Sequence, residues 1–227
     1  MRILSLALVL VLAACADPYD APAESADADV STSEETEATT SAEEAPTPGA
    51  MAPNFTLVDT NGEQHALADF RGEVVVLEWL NYDCPYVGKH YGGENMQALQ
   101  QQAADDGVTW LSIVSSAPGE QGYFEADVMN ERTASEGGLQ TAVLMDPTGD
   151  VGRMYDAKTT PHMFVIDAEG QIVYNGAIDD TPTADQADLE GAENYVVPAI
   201  AAAQEGRAAD PATTVPYGCS VKYAEDA

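Results

Sequence analysis

Hydrophobic and polar positions divide the chain into segments of different period. Residues 54–58 alternate apolar and polar, Asn61-Gly62 interrupts, and 64–67 follow; Asn-Gly between such runs predicts a β-hairpin. Residues 74–77 form an unbroken, largely β-branched apolar run leading to Trp79 and Leu80, the pattern of a central strand covered on both faces. Cys84-Pro85 follows at once. Proline suits a first helical turn because its missing N–H would have no partner there, and apolar or aromatic positions recur at Val87, Tyr91, Met96 and Leu99. This spacing predicts a helix from Pro85 to about residue 104.

Further along, 109–115 reads as a strand, 123–134 as a helix, 142–145 as a short strand and 151–155 as a helix. Residues 162–167 and 171–175 read as two strands around a turn at Gly170, 184–205 as an Ala-rich helix, and 210–227 as a tail carrying Cys219. No internal repeat is visible. This order implies an α/β domain with a mixed sheet and helices on both faces.

The N-terminal pattern differs. Arg2 precedes an apolar run over 3–12, broken only by Ser5, too short to span a bilayer as a mature helix and in the form of a secretory signal. Leu12-Ala13-Ala14-Cys15 resembles the lipobox of bacterial lipoproteins, which implies a lipidated Cys15 as the new N-terminus and a membrane contact through that lipid alone. The alternative is an ordinary signal cleavage that releases a soluble periplasmic protein. Residues 16–50 hold ten acidic residues, no basic ones and four Pro, a composition that predicts a disordered tether. Its root-mean-square reach is roughly 30 Å by the square-root rule. The expected organisation is therefore a signal over 1–14, lipidated Cys15 and tether over 15–50, and one folded domain over 51–227.

Charge narrows the partners. Against 39 Asp and Glu stand 8 Lys and Arg, a formal −31, which excludes nucleic acid as a partner, since phosphate binding needs clustered cations. Residues 51–227 retain 29 acidic and 7 basic residues, a net near −22; a strongly solvated surface or a high-salt habitat accounts for it. With Cys15 spent as a thioether, Cys84 and Cys219 remain for redox chemistry, in an envelope compartment where disulfides persist.

Ala52-Pro53-Asn54-Phe55-Thr56-Leu57, Asn81-Tyr82-Asp83-Cys84-Pro85-Tyr86-Val87, Thr160-Pro161-His162 and Gly176-Ala177-Ile178-Asp179-Asp180 together resemble the thioredoxin-like redoxin superfamily. Gly218-Cys219-Ser220-Val221-Lys222 is similar to the terminal motif of its peroxiredoxin-like, AhpC/TSA branch. The resemblance implies a thioredoxin-like mixed sheet flanked by helices, with an N-terminal hairpin and a C-terminal tail. It also implies a thiol–disulfide oxidoreductase acting on protein or small thiols and disulfides without a cofactor.

Within that expectation Cys84 is the attacking residue. A cysteine at a helix N-terminus faces unpaired N–H groups and the positive end of the dipole, which favour the thiolate, and the thiolate attacks disulfides. Two departures restrict the carry-over. Val87 stands where thioredoxins place the second cysteine of Cys-x-x-Cys, and Leu77 and Asn81 stand where peroxiredoxins place Pro and Thr/Ser, so a thiol peroxidase is the secondary expectation. Cys219 is then the second partner, either resolving a mixed disulfide at Cys84, clamping it statically or merely packing. Thr160-Pro161 matches the cis-proline position beside the active cysteine, whose preceding backbone pairs with an extended substrate; His162 follows it. Glu78, six residues before Cys84, matches a buried acid that could relay protons, or it points to solvent. A metallochaperone with a copper or zinc site from Cys84, His90 and His162 is the competing class, although Cys84 and His90 point roughly 120° apart on a helix, and a non-catalytic binding module with a degenerate site is the third. His65, in the hairpin, carries no assigned role.

Overall fold

The expected central strand organises the domain. In the computed structural model, which describes residues 45–224, β3 (Val75–Trp79) is buried at every position and lies between β4 (Thr109–Val114) and β7 (His162–Ile166). The expected signal, Cys15 and the tether as far as residue 44 lie outside the described residues, as do 225–227. Among the described residues no helix is long and apolar enough to cross a membrane.

The hairpin forms as β1 (Thr56–Asp59) and β2 (Gln64–Ala66), paired antiparallel. Gly62 turns it at φ 84, a left-handed conformation that costs a glycine little. With β5 (Ala142–Met145) and β8 (Ile172–Gly176), the strands make one seven-stranded sheet in the order β2-β1-β5-β4-β3-β7-β8. β3, β4 and β5 run parallel, while β1 meets β5, and β7 meets β3 and β8, antiparallel. The sheet is mixed, as expected.

Side chains alternate across the pleat. Val76 and Leu80 pack with α1 (Pro85–Gly92), α2 (Asn95–Asp105), α5 (Val196–Gln204) and Met129 of α3 (Ala126–Ser135). Val75, Leu77 and Trp79 face the other way, against Val151 of α4 (Asp150–Met154), Tyr155 and Phe55. Burying side chains such as Leu77 and Ile113 completely contributes roughly 1.5–3 kcal/mol each.

Three boundaries depart from the sequence reading. The helix expected over 85–104 is two helices, because Gly92-Gly93 ends α1 and Glu94 adopts φ 58 before α2 begins. A Cβ on either glycine would overlap Gln186 or Leu189, so the glycines also admit the 3-10 turn Gln186–Leu189 against α1. The helix expected over 184–205 is that turn followed by α5, separated at Gly191 (φ 87). Residues 45–50, assigned by composition to the tether, are described and bond to β8: Gly49 N donates to Ile172 O at 2.8 Å, and Asn175 Nδ2 to Pro46 O at 3.1 Å.

Candidate active site

Where β3 leaves the sheet, 81–84 turn into α1. Asn81 Oδ1 accepts the Asp83 N–H at 2.9 Å and Asn81 O accepts the Cys84 N–H at 3.0 Å, while α3 holds the outside of the turn through Arg132 to Asp83 Oδ1 at 3.1 Å and to Tyr82 O at 3.3 Å. Cys84 is the N-cap residue of α1 and Pro85 its first residue, as the dipeptide predicted. The Cys84 side chain is buried.

Two short strands missed by the sequence reading face it. β6 (Thr159–Thr160) and β9 (Cys219–Ser220) form a separate antiparallel pair with Thr160 opposite Cys219; runs of two residues are too short for periodicity to reveal. The tail thus returns to the start of α1. Cys84 Sγ lies 2.7 Å from Cys219 Sγ and 3.1 Å from Thr160 O. The Thr160-Pro161 peptide is cis. Thr160 Oγ1 is buried without a hydrogen-bond partner among the described residues.

The two thiols are made unequal. Burial pushes the Cys84 thiol up, but donation from the Cys219 thiol and from backbone N–H groups, Val87's among them, outweighs it and holds Cys84 below the ordinary thiol value. For Cys219 burial is again the largest influence, and here its bond to the Cys84 sulfur and the charge on that sulfur act with it, pushing the thiol up to about 12. Cys84 is therefore the more acidic thiol of the pair.

Glu78 is fully buried, not turned to solvent. It accepts from Trp110 Nε1 at 2.9 Å and Ser112 Oγ at 2.8 Å, with Tyr91 Oη and Gln100 Nε2 at 3.4 Å. Burial raises its carboxyl to about 7 despite these donors. None of its hydrogen bonds reaches Cys84 among the described residues; its partner Tyr91 meets Tyr82 edge-on at 5.1 Å.

The three candidate metal ligands are not brought together. His162 pairs with Trp79 across the strands, which puts it on the Trp79 face, tilted against Phe164 with ring centroids 4.7 Å apart, whereas Cys84 packs on the opposite face. Both its nitrogens are engaged: Nδ1 accepts the Lys158 N–H at 3.3 Å and Nε2 meets Asn175 Oδ1 at 2.8 Å. Burial lowers it to about 4, so it stays neutral. His90 is buried as well, between Asn95 Nδ2 at 2.8 Å and Tyr217 Oη at 3.3 Å. His65 belongs to the hairpin, 3.2 Å from Asp59 Oδ2.

Sequence reasoning missed the group next to His90. Lys89, with no exposed side-chain surface, donates to Asp179 Oδ2 at 3.2 Å and Thr181 O at 2.7 Å, and Tyr217 Oη donates to Asp179 Oδ1. Tyr217 also meets Tyr86 of α1 edge-on at 5.9 Å. This cluster ties α1 to the tail two residues before Cys219. Its one sequence signal was the placing of Asp179 and Tyr217 in or beside the quoted motifs.

The thiol-disulfide oxidoreductase ResA of Geobacillus kaustophilus (strain HTA426) is 27% identical over 131 residues, 55% of this chain and 66% of that protein. ResA of Bacillus subtilis (strain 168) is 26% identical over 132 residues, 55% and 64% respectively. The match thus spans just under two thirds of the length of these relatives. Among solved structures, an uncharacterized conserved protein from Geobacillus kaustophilus superposes with a TM-score of 0.65 at 25% identity, over 79% of this chain and 94% of that one. A hypothetical protein from Sinorhizobium meliloti 1021 gives 0.64 at 23%, over 81% and 98%. The Redoxin family model matches residues 47–193, which include Cys84 and Thr160-Pro161 and stop short of the tail with Cys219. This chain belongs to the Redoxin family.

Proposed function

We propose that the protein is a thiol–disulfide oxidoreductase in which Cys84 attacks and Cys219 resolves, held at the cell envelope by a lipid on Cys15 and a tether that ends where residues 46–50 join β8. The observation that carries the reading is the apposition of two sulfurs 2.7 Å apart with their acidities driven in opposite directions.

The Cys84 thiolate attacks one sulfur of a substrate disulfide, forming a mixed disulfide and releasing the other sulfur as a thiolate. Cys219 then attacks the Cys84 sulfur, its proton passing to the departing substrate thiolate, and a Cys84–Cys219 disulfide remains. Two electrons have moved to the substrate, and an external thiol or dithiol returns them. Thr160 supports the approach through its backbone. Glu78 acts as a positioning residue, fixing α1 and α2 to the sheet through Tyr91 and Gln100.

Replacing Cys84 by Ser is expected to abolish reduction of a disulfide substrate, whereas Cys219→Ser forms the mixed disulfide at Cys84 and stalls there, visible as an added mass. Undiminished turnover of Cys84→Ser would overturn the assignment.

A further inference from the structure

The oxidoreductase reading of Cys84, on which this inference rests, leaves open what kind of substrate reaches the sulfur. With the backbone before cis Pro161 as the place where an extended substrate pairs, we infer that the chain's own tail occupies the edge of β6 as a resident stand-in, and that the peptide which replaces it carries a glycine before its cysteine.

β6 and β9 form a two-stranded sheet apart from the main one, so β9 is the strand that fills this edge. Main-chain pairing of that kind accepts any extended segment, and side-chain fit then selects among them. The register decides the chemistry: with Thr160 opposite Cys219, a cysteine in that place meets the Cys84 sulfur at 2.7 Å. The residue before it is restricted. Gly218 has φ 139, and a Cβ there would overlap the Thr160 carbonyl oxygen, so a peptide in the same register needs glycine at that position.

The tail lies nearer the surface than the core strands. Residues 211–224 are half-buried or exposed throughout, without one buried side chain, in contrast to the fully buried β3. A segment of this kind, with Tyr217, Cys219 and Val221 only partly buried against the core, opens more readily than the core strands. Its anchors stand on either side of the cysteine, among them Thr214 N on Asn175 O at 3.2 Å and Tyr217 on Asp179 and Lys89 before it, and Val221 N on Lys158 O at 3.1 Å, Ala117 N on Lys222 O at 2.8 Å and Tyr223 Oη on Ala157 O at 2.7 Å after it.

The test uses Cys219→Ser protein, which keeps the tail strand and removes resolution. One probe is a hexapeptide with central Gly-Cys-Ser whose sulfur carries a chromogenic thionitrobenzoate leaving group; the other is N-acetylcysteine bearing the same group. Cys84 thiolate attacks the carrier sulfur, the mixed disulfide forms, and the coloured thiolate departs. Adding Gly218→Ala drives β9 off β6, and the ratio of peptide rate to small-probe rate is expected to rise about tenfold, because the occupied fraction of the edge taxes only the peptide. An Ala-Cys-Ser peptide is expected to be slower than Gly-Cys-Ser. An unchanged or lower ratio, or equal rates for the two peptides, overturns the inference. If Gly218→Ala fails to fold, Tyr217→Phe loosens the same strap, and the same ratio decides. Release of colour from neither probe in Cys219→Ser protein would instead sink the underlying role of Cys84.

Discussion

Glu78 and Asp179 are both carboxylates buried against α1, yet the protein satisfies them in opposite ways. Glu78 sits among neutral donors from Trp110, Ser112, Tyr91 and Gln100. Desolvation wins there and its proton returns near pH 7. Asp179 faces the Lys89 ammonium and the Tyr217 hydroxyl. Burial alone does not assign a carboxylate its work. Neutral partners make one a proton-holding strut beneath the site, and a cationic partner makes the other the latch of the tail.

The largest effect is expected when Asp179 is removed. Asp179→Ala leaves the buried Lys89 ammonium without its counter-charge, and a loss of about 3–5 kcal/mol is expected in urea unfolding, because an unpaired buried charge is left behind. Combining it as Asp179→Leu with Lys89→Met is expected to restore much of that loss. If Asp179→Ala unfolds like the parent protein, the latch is not energetically coupled.

Glu78 is tested through pH. Its folded value, about 7, lies above its ordinary 4.5; its stabilising contribution is therefore complete below pH 4.5 and lost as pH rises through 7, about 3 kcal/mol across that window. His90 and His162 act in the other direction. Each is lowered by burial from 6.5 to about 4, so their contribution is present above pH 6.5 and lost as pH falls through 4. In the shared range the two slopes oppose. Glu78→Gln removes one of them, and its unfolding free energy is expected to fall more steeply than the parent's from pH 6.5 down to 4.5; parallel curves would refute the assignment.

The smallest effect is expected at a carboxylate that is exposed. Asp83 pairs with Arg132 at 3.1 Å with side chains 36% and 31% exposed. Asp83→Ala is expected to cost under about 1 kcal/mol in the same urea titration; a loss matching that of Asp179→Ala would erase the distinction between buried and exposed acids.

Much of the framework was legible because it depends on local pattern. The hairpin at Asn61-Gly62, the buried strand before Cys84 and the Cys84-Pro85 helix start each follow from neighbouring residues. The helix breaks were legible in principle from Gly92-Gly93 and Gly191, but their cause is spatial, since segment 186–189 packs where a Cβ would stand. His162 shows the same limit. Its motif put it beside Pro161, and the strand register with Trp79 turned it to the far face.

The main strands and helices apart from β6, β9 and the breaks at Gly92-Gly93 and Gly191, the cysteine at the start of α1 and the acidic N-terminal composition belong to the sequence, because propensity, capping and hydrophobic period act over a few residues. Tertiary structure alone decided that Cys219 meets Cys84 across 135 positions, that Lys89 is buried on Asp179, and that one thiol gains acidity as the other loses it. Those outcomes depend on desolvation and on distances between segments remote in the chain, which no local pattern encodes.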